Sequence, residues 1–153
     1  MKVVHRHALV PQSPAQMYAL VNDVRRYPEF LPWCPSTTVY SETPTAVHAA
    51  VDFERAGVRM QLTTRNTNVP DESIDLVLTE GPLRHFHGGW AFVPIRAPAA
   101  AGGPGEIRGC RVQLRIEFEF RNAALGLLLG PLFEATWDSI VDAFVRRARV
   151  VYP

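Results

Sequence analysis

The sequence predicts an α+β domain in which one strongly curved antiparallel sheet of about six or seven strands wraps a long C-terminal helix. Three observations carry that expectation. Much of the stretch between Val47 and Arg121 alternates apolar and polar residues with a period of two, the signature of a sheet with one dry and one wet face. From about Asn122 the apolar period lengthens to 3.6, as a helix requires. The helical segments stand before and after the strands instead of between them, which separates α+β from α/β. The 153 residues read as one domain, 1–153, long enough to bury a core without staples.

Residues 2–10 read as a first strand ended by Pro11. Ser13-Pro14-Ala15-Gln16 has the form of a helix start, with Ser13 as N-cap, Pro14 at the first helical position and Gln16 closing a capping box. Met17, Leu20, Val21 and Val24 follow at the spacing of one buried stripe. Pro28 and Pro32 bracket Glu29-Phe30-Leu31 and leave room for only a short helical turn. Val47 to Phe53, Val58 to Leu62, Ile74 to Leu78 and Cys110 to Phe120 each alternate as strands, with turns at Gly57, Asn68-Val69-Pro70-Asp71 and Gly81-Pro82. Ala97 to Gly109, rich in Ala, Gly and Pro, reads as a mobile hairpin loop. In the last helix Phe133, Trp137, Ile140, Phe144, Ala148 and Val151 mark one face. Such a face needs a concave partner, which a strongly bent sheet supplies.

Composition narrows the function classes. Hydrophobic residues make up 47% and charged residues 20%, as in ordinary soluble proteins. A formal net charge of +1 gives no electrostatic case for DNA, or for an anionic membrane as main partner. No secretory signal is visible. The longest apolar run, Ala123 to Phe133, is interrupted by Gly126, Gly130 and Pro131, so no transmembrane span is expected. Cys34 and Cys110 match no metal spacing and suit a reducing compartment. The expected location is the cytoplasm, with peripheral contact at the inner membrane as an extension.

Several segments resemble the coenzyme Q-binding START-like family of the polyketide cyclase superfamily. Leu20-Val21-Asn22-Asp23-Val24 followed by Tyr27-Pro28-Glu29-Phe30-Leu31-Pro32-Trp33-Cys34 is similar to its signature. Further matches are Thr63-Thr64-Arg65-Asn66, Glu80-Gly81-Pro82-Leu83, Gly88-Gly89-Trp90-Ala91-Phe92 and Ala143-Phe144-Val145-Arg146-Arg147-Ala148. They run in order over nearly the whole chain, and within the family the bacterial ribosome association toxin branch is the closer likeness. The Ala97–Gly109 loop departs from the pattern in length. The resemblance implies a helix-grip fold and a hydrophobic ligand, with ubiquinone or a similar isoprenoid lipid as first candidate and no required cofactor. It also implies a role at the large ribosomal subunit.

With that fold, an apolar cavity between sheet and helix would be lined by Met60, Leu62, Trp90, Phe92, Phe118, Phe133, Trp137 and Phe144. The same residues also serve as ordinary core. Leu125, Leu127, Leu128, Leu129 and Leu132 spread around the helix circumference, so packing on one side cannot cover them all. Leu125, Leu128 and Leu129, with Trp33, are the candidates for a cavity lip or partner contact, unless the Ala97–Gly109 loop covers the leucines. Arg146 and Arg147, near Arg25 and Arg26, are candidates for a ribosomal RNA contact, with helix-end capping as the alternative. His85 and His87, like His5 and His7, share a strand face but lack a third ligand at fixed spacing, so no metal site is expected. No nucleophile–base pair or carboxylate pair stands out, and no catalytic residue is assigned. A cyclase-like enzyme remains the third reading, and it requires an ionisable group facing the cavity.

Overall fold

Alternation decides which way each strand faces, and the computed structural model, describing residues 1–99 and 102–153, assembles those faces into one sheet. In chain order the elements are β1 (Lys2–Val10), α1 (Pro14–Asn22), a 3-10 helix (Val24–Glu29), β2 (Thr37–Thr43), β3 (Ala46–Arg55), β4 (Val58–Val69), β5 (Ser73–Glu80), β6 (Leu83–Arg96), β7 (Ile107–Phe120) and α2 (Ala123–Val151). All seven strands pair antiparallel in the order β1-β7-β6-β5-β4-β3-β2. The curved sheet turns its concave face to α2. In β7, Cys110, Val112, Leu114, Ile116 and Phe118 point into the core, while Arg111 and Arg115 are exposed.

The helix starts follow side-chain chemistry. Ser13 Oγ accepts from the Gln16 backbone N–H at 3.1 Å, and Gln16 Oε1 accepts from the Ser13 N–H at 2.9 Å, completing the expected capping box. Asn122 Oδ1 caps α2 by accepting from the Leu125 N–H at 2.9 Å. In composition and length α2 would suffice to cross a bilayer, contrary to the expectation from its interrupted apolar run. Its apolar stripe is taken up by the sheet: Phe133, Thr136, Trp137, Ile140, Phe144 and Ala148 are buried. Lys2–Glu134 (3.1 Å) and Arg6–Asp138 ion pairs tie β1 to the outer side of α2.

Four local expectations change. The short helical turn lies at Val24–Glu29 with Pro28 inside it, ahead of the Pro28–Pro32 bracket, because the missing Pro28 N–H costs little in so short a helix. β2 is an addition to the expected strands; its mostly exposed, Thr-rich segment carries no clear apolar alternation. The expected Ala97–Gly109 loop is shorter, since β7 begins at Ile107. There the Ala97 N–H donates to Glu106 O at 2.8 Å and the Arg96 guanidinium to Gly105 O at 2.9 Å. Ala100 and Ala101 of that loop lie outside the described residues. Val151, expected on the buried stripe, is exposed in the last turn of α2.

β6 and β7 form the longest paired ribbon, and Gly88 sits where it passes closest to its neighbour. A Cβ there would stand 2.2 Å from Arg115 O and 2.6 Å from Ile116 Cδ1. The backbone oxygen cannot yield without breaking the ladder. Gly88→Ala is therefore expected to destabilise by about 1–3 kcal/mol, read as a lower urea midpoint. An unchanged midpoint would mean that the two strands are not this close.

Candidate functional site

The inner face of β4 changes character along its length. Met60 and Leu62 begin it as an apolar wall, and Thr64, Asn66 and Asn68 continue the same parity into the interior. Asn66 and Asn68 are buried at 8% and 3% exposure. A buried amide needs partners, since leaving one unsatisfied costs about 1–3 kcal/mol. Thr64 Oγ1 donates to Asn66 Oδ1 at 2.7 Å, and Asn68 Nδ2 donates to Asn22 Oδ1 at 2.9 Å, bridging the sheet to the last residue of α1. Asn68 Oδ1 and the Trp137 indole N–H are buried without a partner among the described residues.

These groups adjoin an internal cavity. Its wall comprises Val21 and Asn22 of α1, Val24 and Tyr27 of the 3-10 helix, Trp33, and Ala49, Val51 and Phe53 of β3. Leu62, Thr64 and Asn66 of β4, Ile74 and Leu76 of β5, Phe86 and Trp90 of β6, and Trp137 and Ile140 of α2 complete it. The cavity lies where two clusters of core residues meet, a large one under α2 and a small one of Val24, Val47 and Ala49. The space open to the centre of a water-sized sphere is about 60 Å³. That is room for a few waters, at roughly 10–15 Å³ each, and well below the roughly 300–1,000 Å³ of a drug-sized pocket. A tailed ligand therefore needs the walls to part. Half-buried Asn22, Tyr27, Val51 and Thr64 mark the side where the wall comes nearest to solvent.

Tyr27 is the single ionisable side chain in that wall. Its hydroxyl donates to Val21 O, and burial, with smaller contributions from Cys34 and Asp23, pushes its pKa well above the ordinary phenol value. The phenol stays protonated across the physiological range.

The eight residues expected to line the cavity divide. Leu62, Trp90 and Trp137 are in its wall. Met60, Phe92, Phe118, Phe133 and Phe144 are buried in the surrounding core instead. Phe133 fills its own space among Phe53, Phe86, Phe118 and Phe120 at centroid distances of 4.7–6.1 Å. Phe144 does the same against Tyr27, Phe30 and Trp90 at 5.2–5.5 Å. Large rings at those points find partners and leave no gap.

The expected lip also changes. Trp33 is buried, stacked on Phe53 at 4.8 Å, and belongs to the cavity wall. Leu129 is buried, Leu125 half-buried, and Leu127 and Leu128 are exposed at 83% and 62%. None of these leucines touches the cavity. Their part of α2 lies beside Phe120, with Gly126 and Gly130 against its ring, whereas the Ala97–Gly109 loop closes the opposite end of the β6–β7 ribbon. The described part of the loop therefore does not cover the leucines.

Arg147 is only 19% exposed, pairs with Glu29 at 3.0 Å and lies 5.0 Å over the Phe30 ring, so it fastens α2 to the segment after α1. Arg146 is exposed. His85 stands 3.4 Å from Glu117, His87 3.0 Å from Asp75, and the His85 contact holds the Glu117 carboxyl below its ordinary range. Among the described residues no three metal-ligating side chains converge.

The missed wall residues were partly legible. Thr64 and Asn66 continue the alternation of Val58, Met60 and Leu62, so polar residues at inward positions are the available signal. Asn22, Tyr27, Ile74, Leu76 and Ile140 converge only through the fold.

The family described as polyketide cyclase / dehydrase and lipid transport matches residues 10–145. The chain is 41% identical over 152 residues to the ribosome association toxin RatA of Vibrio cholerae serotype O1, covering 99% of each. It is 26% identical to the mitochondrial coenzyme Q-binding protein COQ10 homolog B of Xenopus laevis, over 92% of this chain and 55% of that protein. The Zhui aromatase/cyclase of Streptomyces sp. R1128 superposes with a TM-score of 0.77 at 16% identity, covering 97% and 93% of the two chains. That last likeness speaks to the fold alone.

Burial pushes the Cys34 thiol up to about 12 and the Cys110 thiol up to about 11, and both side chains are enclosed. Reactivity needs an accessible thiolate. Iodoacetamide at pH 7.5 is expected to leave both unlabelled in the folded protein and to label two sites in urea, read by intact mass. Rapid native labelling would contradict this burial.

Proposed function

The chain belongs to the polyketide cyclase/dehydrase and lipid transport family, and on that premise we propose that it is a non-catalytic binding protein of RatA type that associates with the large ribosomal subunit. The observation that carries this reading is the 41% identity to RatA along 99% of both chains. Sequence reasoning alone ranks a lipid-carrier role first; the end-to-end likeness reverses that order. Acid–base chemistry needs a group that exchanges protons near neutral pH, and the cavity wall offers only a phenol with a raised pKa, committed to a backbone carbonyl. That favours binding over a cyclase-like reaction.

A second reading, compatible with the first, is supported by the cavity. Its wall is mostly apolar with a few amide and hydroxyl groups on one side, the usual make-up of a site for a hydrophobic molecule. Burial is worth roughly 25 cal/mol per Å² of apolar surface before ordering costs. The more distant likeness to a coenzyme Q-binding protein makes ubiquinone or another isoprenoid lipid the first ligand to try. In this reading the protein works in the cytoplasm and meets the inner membrane transiently, with exposed Leu127 and Leu128 as the contact.

The two readings are tested separately. Sedimented through a sucrose gradient at low salt, the protein is expected to travel with large subunits, and added salt is expected to release it. Arg146→Glu, which disturbs no ion pair among the described residues, is expected to weaken that association several-fold. A protein that stays at the top of the gradient would eliminate the ribosomal reading. For the cavity, native mass spectrometry after incubation with a short-tailed ubiquinone is expected to show a one-to-one adduct and the melting temperature to rise. No adduct and an unchanged melting temperature would remove the carrier reading.

A further inference from the structure

The β6–β7 ribbon runs past the strands on either side of it. The register of β5 with β6 stops at Ser73–Ala91, and that of β1 with β7 stops at Val10–Cys110. β6 and β7 go on pairing as far as Arg96 and Ile107. Gly109 lets β1 leave at that point, since a Cβ there would stand 2.3 Å from Val10 O. Beyond it the ribbon is held by its own bonds, from the Ala97 N–H to Glu106 O and from Arg96 to Gly105 O.

This projecting end is basic. Arg96, Arg108 and Arg111 are exposed, and none forms an ion pair among the described residues. Arg115 follows on the outward side of β7, so from Arg108 to Arg115 the strip is roughly 23 Å long at about 3.3 Å per residue. Opposite Gln113 and Arg115, β1 places His7 and His5, while β6 places only Ala91 and Gly89. β7 carries no acid between Glu106 and Glu117. Glu117 is shared between Arg115 and His85, and Asp75, across Gly89, is engaged by His87. Gln12 Nε2 donates to Tyr152 O at 3.2 Å, so the last turns of α2, with exposed Arg146 and Arg149, share this end of the molecule.

Resting on the reading that the protein associates with the large ribosomal subunit, we propose that the projecting β6–β7 end and the arginine strip of β7 are the surface that meets ribosomal RNA. The Arg108 and Arg111 guanidinium groups donate to phosphate oxygens, a geometry their planar fork matches. Arg96, already fastened across the turn, adds its charge beside them. Contacts of this kind set position and carry no sequence information. A protein partner fits less well, because charged residues are depleted from the cores of protein interfaces. A bilayer seated on the exposed leucines of α2 would meet the opposite end of the ribbon and leave this strip in water.

The test measures binding to purified bacterial large ribosomal subunits over a series of salt concentrations. Arg108→Gln with Arg111→Gln is expected to weaken binding about tenfold near 0.1 M salt and to lower the slope of log affinity against log salt by about 1–2. Arg55→Gln, which removes an exposed and unpaired charge at the far end of β3, is expected to stay within about twofold. Arg108→Lys with Arg111→Lys is expected to restore most of the slope, which a variant damaged in packing would not do. Equal weakening by the Arg55 control, unchanged binding and slope in the double Gln variant, or no recovery with Lys overturns this surface while leaving the ribosomal reading intact. Failure of the unaltered protein to bind the subunits at low salt overturns both.

Discussion

Two aromatic wedges set how closely the C-terminal helix approaches the sheet. Phe133, fully buried, meets five aromatic rings: Phe53, Phe86, Phe118, Phe120 and Trp137. Phe144, equally buried, meets Tyr27, Phe30 and Trp90. Eleven residues of helix separate the two, or about 16 Å at 1.5 Å per residue. Between them the helix presents Trp137 and Ile140; Trp137 meets Phe53 and Phe86 of the facing strands, while Ala49, Thr64 and Leu76 leave the adjoining space open. The cavity is thus the span between two props. Removing either wedge would let the helix settle, which is why large side chains are needed beside a space that none of them fills.

The chemistry of that space follows from where polar residues can be buried. These polar residues are tolerated because Thr64 pairs with Asn66 along β4 and Asn68 pairs with Asn22 across the seam between α1 and β4. Their pairing is incomplete, since one amide oxygen and one indole N–H lack partners, and incomplete satisfaction in a native interior is what a ligand can relieve. A neutral, partly satisfied wall suits holding a molecule better than transforming it. The outer surface presents a different chemistry: it is arginine-rich and only partly ion-paired, with Arg146 exposed and exposed leucines at the start of α2. The two proposed roles, ribosome association and ligand holding, would draw on separate parts of the molecule.

The sequence made the frame legible because the frame is periodic. The capping box at Ser13–Gln16, the inward row from Cys110 to Phe118 and the stripe from Phe133 to Ala148 are local patterns, and each folds as read. The cavity was harder to read because it is defined by what neighbouring strands fail to fill. Phe92 and Phe118 have the right character for a lipid pocket yet pack against Tyr18 and Phe133 of distant elements, and Met60 is buried in the core. Trp33 reads as a candidate for the cavity lip or a partner contact, yet is buried and stacks on Phe53 in the wall itself. Arg147 reads as part of a basic helix end, but Glu29 and Phe30, 118 and 117 positions away, claim it. Long-range partners of this kind leave no mark in spacing.

The propped cavity is tested most directly by a crystal structure under xenon pressure, because xenon enters apolar internal space without requiring a chosen ligand. The account predicts a xenon site bounded by Trp137 and Ile140 on one side and Leu62 and Ile74 on the other, with Phe133 and Phe144 unmoved. A structure with no xenon there and the space between Ile140, Leu62 and Ile74 filled by side chains would contradict it.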